Sequence, residues 1–281
     1  MKRLWPLPLD LRALILFFVL LSVLATLCNS FIVAYRVQRD ALIHSTLESN
    51  NAYAAKLASS IGAFLQSAQG RMKYSADVLA AHWNEPQALR AEANRLQRQD
   101  ADLNAIAIID ASGRVLQTAP EVLKTEGSTP DSTTLQQALR EHSPLVSSAY
   151  TAASGHLVIF ISQPIVTASG QFLGVIGASV YLTQESALHT VISRHFHHEG
   201  TFVFVTDGNG RLLYHPDQQR IGEILGRSSA VDAALRGETG SMTVPDDKGG
   251  QLLAGYAQVP DANWAVIAMQ SRERTLAPLT P

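Results

Sequence analysis

Residues 203–213, Val-Phe-Val-Thr-Asp-Gly-Asn-Gly-Arg-Leu-Leu, repeat the pattern of residues 108–116, Ile-Ile-Asp-Ala-Ser-Gly-Arg-Val-Leu. Each stretch has an apolar run, a turn that contains Asp and ends in Gly-Arg, and a second apolar run. Such runs, separated by Asp and Gly, predict two antiparallel strands joined by a tight turn. We interpret Asp110 and Asp207 as turn formers, because Asp favours turns through hydrogen bonds to its own backbone. The chain is therefore predicted to contain one structural unit twice.

The segments that follow the two hairpins match in kind and order. The first hairpin is followed by a helix over 134–141 and by strands over 145–151, 156–167 and 171–182. A helix over 183–198 then leads to the second hairpin, which is followed by a helix over 229–236 and by strands over 239–244, 251–259 and 263–269. An antiparallel sheet with a helix on one side is an α+β arrangement. We predict two tandem modules of this kind.

The chain begins with a segment that is apolar enough for a membrane. Residues 13–35 contain no charged side chain, and about 20 apolar residues in a helix cross a ~30 Å hydrocarbon core. The run is longer than the apolar core of a cleaved signal peptide, which favours an uncleaved transmembrane helix. Lys2, Arg3 and Arg12 precede it, so the positive-inside rule favours a cytoplasmic N-terminus over residues 1–12.

Residues 36–83 predict a long stalk helix that continues from the membrane. They lack proline, and apolar or small residues recur at the heptad spacing of paired helices: Leu47, Ala54, Ile61 and Ala68. Asn50 and Arg71 interrupt a strict coiled coil. We expect a stalk that pairs loosely with a second copy in a homodimer and also packs on its own domain. Pro86 is well placed to start a new helix, which ends near Gln99.

Composition narrows the class of protein. The 281 residues carry a net charge of −2, so there is no basic surface of the kind that binds nucleic acid. The only cysteine, Cys28, lies in the apolar segment, so no disulfide forms within the chain. Leu27 directly before it argues against lipid attachment. We predict no cofactor.

The motifs of common enzymes are missing from the sequence. It has no His-Glu-x-x-His, Gly-x-Ser-x-Gly or P-loop lysine, and no GGDEF signature or kinase phosphoacceptor block. We therefore predict that this chain is not an enzyme. Four histidines invite a metal interpretation: His189, His195, His197 and His198. Their spacing does not converge on one helix face, so a solvated helix end is favoured over a metal site. A pH-responsive linker is the alternative.

The order of these pieces resembles the double Cache sensor domain of bacterial transmembrane receptors, over about residues 36–272. The resemblance is carried by the long first helix, by Ile109–Gly113, and by the block from Val146–Tyr150 to Ser154–Ile159. It is strongest in 174–182, Gly-Val-Ile-Gly-Ala-Ser-Val-Tyr-Leu, which is similar to the last strand of the family's membrane-distal module. The stretch from Val259 to Val266 resembles the end of the membrane-proximal module. Trp264 there is expected to anchor the last strand in the core.

The resemblance implies two PAS-like modules, a membrane-distal one over 84–183 and a membrane-proximal one over 184–272. It also implies a small-molecule site in the distal module, where Tyr150 and Ser179 match ligand-binding positions of the family. Tyr181 is a third candidate ligand-binding residue, because tyrosine combines an apolar body with a polar tip. The alternative is that Tyr150 or Tyr181 only packs in the sheet. Family members that bind amino acids hold the ligand amine with an Asp where this chain has Ser179. Since a buried unpaired charge is costly, we expect that the ligand is not an ordinary α-amino acid.

The resemblance also implies a receptor in the bacterial inner membrane, with this domain in the periplasm and a cytoplasmic output. The N-terminal section is most similar to the input region of sensor diguanylate cyclases. The alternatives are the input domain of a chemoreceptor or a histidine kinase, or a ligand-free module for dimerisation or interaction. Residues 273–281 are expected to lead to a second membrane span that this chain lacks, as a piece of a longer receptor or a truncated product.

Overall fold

The computed structural model of the protein describes residues 11–120, 127, 133–183, 186–193, 200–226, 228–246 and 249–279. It has the α+β architecture predicted from the repeat: one long helix and two antiparallel sheets, each with a shorter helix on its far side. We call strands β1–β6 the distal sheet and strands β7–β11 the proximal sheet.

The membrane segment and the stalk form one helix, α1 (Leu11–Ala81). Its 71 residues correspond to a rod of about 106 Å at 1.5 Å per residue. Its N-terminal part is long and apolar enough to cross a membrane and is exposed along its length. The first buried residue of the helix is Asn50. From there the helix runs along the proximal sheet and then along the distal sheet.

The distal sheet follows the first copy of the repeat. Its strands are β1 (Ala105–Asp110), β2 (Val115–Ala119), β3 (Leu145–Val146), β4 (Tyr150–Thr151), β5 (Leu157–Val166) and β6 (Phe172–Tyr181). Their spatial order is β2-β1-β6-β5-β3, and β4 also pairs with β5. Two helices belong to this part of the chain, α2 (Pro86–Gln99) and α3 (Thr133–Glu141). Helix α2 starts with Pro86 at its first turn, where the missing N–H of proline costs no hydrogen bond.

The proximal sheet has the same topology, which confirms the internal repeat. Its strands are β7 (Thr201–Thr206), β8 (Leu212–Tyr214), β9 (Gly240–Pro245), β10 (Gln251–Gln258) and β11 (Ala265–Ser271), in the spatial order β8-β7-β11-β10-β9. The helices around it are α4 (Ala187–Ser193), α5 (Ser229–Leu235) and α6 (Arg272–Leu276). Short 3₁₀ turns cover Gln218–Arg220 and Ala277–Leu279.

Helix α1 fills one face of both sheets and joins them into one core. Alternate residues of the central strands, such as Ile106, Ile176 and Val205, pack with α1 in a single apolar cluster that also holds Trp264. Trp264 is 2% exposed, which agrees with its expected place in the core. The opposite faces form two separate clusters, under α3 in the distal sheet and under α5 in the proximal sheet.

Helix α1 approaches the proximal sheet very closely at Gly255 in β10. A Cβ atom placed on Gly255 would lie 2.1 Å from the carbonyl carbon of Asn50 and 2.3 Å from the backbone nitrogen of Asn51. Only glycine fits such a contact between two backbones. The side chain of Asn50 donates a hydrogen bond to the carbonyl of Leu253 at 2.8 Å, so the contact is fixed on both sides.

Three local predictions were incomplete. The strand expected over 145–151 is interrupted, so that it forms β3 and β4 with residues 147–149 between them. The helix expected over 183–198 is described only as α4, and residues 184–185 and 194–199 lie outside the described part. Residues 273–276, expected as the beginning of a tail, belong to α6 (Arg272–Leu276), which packs on α1.

Candidate functional site

The α3-covered face of the distal sheet is the candidate site, and strand register shows which residues share it. Residues that pair across strands point to the same face. The pairs Thr118–Ala107, Ala107–Gly177 and Gly177–Ser162 therefore form one row across four strands, β2, β1, β6 and β5. Leu145 in β3 extends the row and packs in the α3-side cluster, which fixes the face.

The side chains in the middle of this row are unusually small. Ala107 and Gly177 provide one methyl group between them, with a polar residue on each side. We call these four residues, Thr118, Ala107, Gly177 and Ser162, the distal floor. The phenyl ring of Phe160 covers it: a Cβ atom on Gly177 would lie 1.9 Å from Cζ of that ring. Phe160 is 7% exposed, so its ring occupies the room that the missing side chains leave.

The polar groups of the distal floor have no partner. Ser162 is 0% and Thr118 is 2% exposed, and neither hydroxyl has a hydrogen-bond partner in the described part of the chain. Burying a hydroxyl without a hydrogen bond costs about 1–3 kcal/mol in proteins. Nearly all buried polar groups in native proteins are paired, so an unpaired one calls for an explanation.

The three predicted site residues lie in the next two rows of the same face. Ser179 pairs with Phe160 and with Ala105. Tyr181 and Tyr150 both pair with Val158, one on each side of it. Sequence reasoning thus selected residues of one surface patch. Whether they bind a ligand is a prediction that the fold alone does not test.

The aromatic residues of this patch have defined environments. Burial raises the pKa of the Tyr150 hydroxyl above its ordinary value of 10.0, so the phenol is neutral and can donate a hydrogen bond. The ring of Tyr181 stacks on His156, with centroids 4.2 Å apart and an angle of 11° between the planes. The backbone N–H of Tyr181 donates to Oδ1 of Asn104 at 2.8 Å, which holds the end of β6.

Among the described residues of these three rows there is no charged side chain. The rows contain the following residues: Thr118, Ala107, Gly177, Ser162 and Leu145; Ala105, Ser179 and Phe160; Tyr181, Val158 and Tyr150. The patch thus offers hydroxyl groups and aromatic rings, which suit an uncharged ligand with hydrogen-bonding groups.

Phe160, Gly177, Thr118 and Ser162 were missed at the sequence level. Ser162 follows five apolar residues of β5, 157–161, and a serine within such a run is the signal that would have found it. Gly177 lies in the quoted stretch 174–182, but the contact with Phe160 depends on strand pairing and is not visible in sequence spacing.

The equivalent row of the proximal sheet is filled by its own side chains. Phe204, Ile267 and Tyr256 pair across β7, β11 and β10 in the register of Ala107, Gly177 and Ser162. They are 5%, 0% and 8% exposed. The α5-covered face is thus a packed apolar core, and the two modules differ in chemistry at equivalent positions.

The two repeated aspartates form turns, as predicted. Oδ1 of Asp110 accepts from the backbone N–H groups of Ser112 and Arg114 and from the Ser112 hydroxyl. Oδ1 of Asp207 accepts from the N–H groups of Asn209 and Arg211 at 2.9 and 3.0 Å. Burial opposes ionisation of Asp110, but these hydrogen bonds outweigh it and hold its pKa below the ordinary value.

The histidine cluster of the sequence lies mostly outside the described residues. His195, His197 and His198 belong to 194–199, and of the cluster only His189 is described. Its ring lies 5.7 Å from that of Tyr214. In the described ranges, no group of three or more His, Cys, Asp or Glu side chains is arranged to hold a metal ion.

The fold is shared with bacterial ligand-binding domains. The chain is similar to an extracellular ligand binding receptor from Desulfohalobium retbaense, with a TM-score of 0.63 and 18% identity over 78% of this chain, although it covers only 39% of that protein. It is also similar to the ligand-binding domain of the Pseudomonas fluorescens chemoreceptor CtaA in complex with L-isoleucine, with a TM-score of 0.62 and 18% identity over 86% of this chain and 98% of that one.

A third similar structure is the ligand-binding domain of the Pseudomonas aeruginosa amino acid chemoreceptor PctB in complex with L-arginine. Its TM-score is 0.65, with 17% identity over 84% of this chain and 100% of that one. No curated protein matches the chain. The family model of the double Cache domain, described as "Cache domain", matches residues 34–279. Since this match spans both modules and most of α1, the chain belongs to the Cache domain family.

Proposed function

We propose that this chain is the extracytoplasmic input domain of a membrane receptor in the bacterial inner membrane, and that it binds a small uncharged molecule on the distal floor. Cache domains are sensor domains, and the exposed apolar end of α1 supports a membrane anchor. The observation that carries the proposal is the pair of buried, unpartnered hydroxyls of Thr118 and Ser162 beside a floor of alanine and glycine.

In this proposal the ligand takes the place of the Phe160 ring. Displacing that ring would uncover Gly177 and give the two hydroxyls hydrogen-bond partners. Tyr150, Ser179 and Tyr181 would contact the ligand from the neighbouring rows. A ligand shifts a conformational equilibrium only through a difference in affinity between the two states. Here that difference comes from hydroxyls that are unpaired in the closed state and paired in the bound state.

The ligand is proposed not to be an ordinary α-amino acid. The structures of CtaA and PctB hold L-isoleucine and L-arginine, but at 18% and 17% identity they support only the fold. An ammonium group needs a carboxylate partner when it is buried. The three described rows contain only neutral side chains, and Ser179 replaces the aspartate that the family uses for the amine.

The proposal includes the kind of cytoplasmic output domain that this input domain would regulate. The input region of a sensor diguanylate cyclase is the first candidate, and a chemoreceptor or a histidine kinase is the alternative. Dimerisation through the stalk part of α1 would carry the signal between two copies.

A ligand-free interaction module is the second candidate function. It is favoured by the Phe160 ring, which fills the space above Gly177. In that case Thr118 and Ser162 would be a tolerated packing defect.

Thermal-shift screening of the full chain in nanodiscs tests the proposal. The library would contain uncharged polyols, sugars, amides and nucleobases, with the twenty α-amino acids as a parallel set. We expect a stabilising compound from the first set only, and calorimetry should show that Ser162→Ala weakens its binding. Phe160→Ala should tighten binding, because the phenyl ring no longer competes with the ligand for the space over Gly177.

Tight stoichiometric binding of an α-amino acid would contradict the proposed ligand class. A screen without any hit in both the native and Phe160→Ala proteins would favour the ligand-free module.

A further inference from the structure

The two aspartate turns of the repeat differ in one contact. Asp110 is partly exposed, and its hydrogen bonds stay within its own turn. Asp207 is 0% exposed. Its second oxygen, Oδ2, accepts a hydrogen bond from the backbone N–H of Ala149 in the distal module, at 3.0 Å. One buried carboxylate therefore closes a turn of the proximal sheet and binds the backbone of the distal sheet.

The bonded segment lies directly before Tyr150. Residues 147–149 separate β3 from β4. On one side of the segment, Ser147 exchanges hydrogen bonds with Phe160: the N–H of Ser147 donates to the Phe160 carbonyl, and the N–H of Phe160 donates to Oγ of Ser147, both at 2.8 Å. On the other side, the N–H of Ala149 donates to Asp207. The segment is thus held between the strand that carries the ring over the floor and the first turn of the proximal sheet.

Two neighbouring contacts support the same junction. The side-chain nitrogen Nδ2 of Asn209 donates to the hydroxyl of Ser148 at 3.2 Å. A Cβ atom on Gly222, which follows β8, would lie 3.0 Å from Cδ2 of Leu157 at the start of β5. The Asp207–Ala149 hydrogen bond is buried and is shorter than the Asn209–Ser148 one, so we expect it to dominate the junction.

We propose that Asp207 is a positioning residue that fixes Ala149 and Tyr150 relative to the β7–β8 turn and passes a displacement of the distal face to the proximal sheet. The positioning half of this inference stands on the hydrogen bonds alone. The transmission half rests on the proposed function, because only a ligand on the distal face would give the displacement a role.

Asp207→Asn, with Asp110→Asn as its matched control, tests the positioning half. The asparagine keeps one carbonyl oxygen for the turn and presents its NH₂ group to the N–H of Ala149, so a donor faces a donor. Hydrogen exchange of the full chain in nanodiscs would be compared for the three proteins. We expect exchange at Ala149 and Tyr150 to be at least about tenfold faster in Asp207→Asn and changed less than about twofold in Asp110→Asn. Unchanged exchange at Ala149 in Asp207→Asn would overturn the proposal.

A second arm tests transmission without any ligand. Phe160→Ala disturbs the distal face, and the exchange of the amides of residues 208–211 reports on the proximal turn. We expect Phe160→Ala to accelerate this exchange by about threefold or more when Asp207 is present and to leave it unchanged in the Asp207→Asn background. An equal response in both backgrounds would overturn the transmission half.

The two proposals can fail separately. Neither hydrogen-exchange experiment uses a ligand. Both can therefore be interpreted even if the thermal-shift screen finds no ligand. If Asp207→Asn does not fold, Ala149→Pro removes the same donor from the distal side and leaves the Asp207 turn intact. Because Asp207 then loses its distal partner, hydrogen exchange at residues 208–211 should be about threefold faster or more, as expected for Phe160→Ala. Exchange at the native rate in these residues would count against the junction.

Discussion

The distal and proximal sheets have one topology but opposite size patterns on their covered faces. Gly177 of β6 corresponds to Ile267 of β11, and Phe160 of β5 corresponds to Ala254 of β10, as the strand registers show. In the proximal sheet the large residue, Ile267, is on the central strand, and its side chain fills the core between the sheet and α5. In the distal sheet the large residue, Phe160, is on the neighbouring strand, and its ring fills the room over the small residues from the side.

This difference lies in how the covered face of each sheet is filled. The proximal face is closed by Phe204, Ile267 and Tyr256, all nearly fully buried. On the distal face, the hydroxyls of Thr118 and Ser162 have no hydrogen-bond partner in the described part of the chain, and the ring of Phe160 fills the space over Gly177. Duplication of a unit thus allows equivalent positions of the two sheets to be filled by side chains of different size and polarity.

The largest effect is expected from opening the filled row. Ile267→Ala should lower the free energy of unfolding by about 2–5 kcal/mol, because it removes buried methylene groups and leaves a cavity. Chemical denaturation of the full chain in detergent measures it. Ile224→Ala, at a side chain that is 63% exposed, is the control and should change stability by less than about 0.5 kcal/mol. Equal effects of the two variants would show that the proximal row is not a packed core.

A smaller effect is expected from filling the open row. Gly177→Ile should lower stability by about 1–3 kcal/mol, because the new side chain overlaps the Phe160 ring. Adding Phe160→Ala recreates the proximal arrangement and should restore most of the loss. Thermal unfolding of the single and double variants gives the coupling between the two positions. Additive losses would contradict the correspondence of the two rows.

A still smaller effect, with the opposite sign, is expected at the unpaired hydroxyls. Thr118→Val should raise the stability of the ligand-free protein by about 1 kcal/mol, because a buried hydroxyl without a partner is removed at nearly constant shape. Thr206→Val is a matched control, since Thr206 is buried with an unpaired hydroxyl on the proximal sheet. It should stabilise similarly, but only Thr118→Val should weaken ligand binding. Loss of stability in both variants would indicate hidden partners.

The smallest effect concerns pH. The folded pKa of Asp110 is below its ordinary value of 3.8, so its turn stabilises the fold fully above that value. The contribution is lost as the pH falls through the folded pKa. Melting curves between pH 5 and pH 2 should therefore be slightly less pH-dependent for Asp110→Asn than for the native chain. A steeper dependence in the variant would reverse the sign and contradict the assignment.

The sequence predicted the parts of the fold that local patterns determine. Strand and turn signals occur within a few residues of each other, so the hairpins around Asp110 and Asp207 were found, and the repeat then implied the shared topology. The uncharged run 13–35 likewise predicted the exposed apolar part of α1. Tyr150 and Ser179 were selected through the family resemblance and Tyr181 through the chemistry of tyrosine, and all three lie on one face.

What sequence reasoning missed depends on contacts between distant residues. The strand expected over 145–151 is interrupted because the N–H of Ala149 bonds to Asp207, 58 residues further on. The ring of Phe160 meets Gly177 only after β5 and β6 pair. Helix α6 is short and packs against α1, which ends at Ala81, far earlier in the chain than the first residue of α6, Arg272.

The backbone contact between Gly255 and Asn50 divides α1 into two arms of unequal length. From Asn50 the rod extends about 46 Å to its upper end at Ala81 and about 58 Å to Leu11, at 1.5 Å per residue. Because the N-terminal arm is the longer one, a tilt of α1 at this contact would displace Leu11 further than Ala81. A bulkier residue than glycine at position 255 would force the two backbones apart and so favour such a tilt.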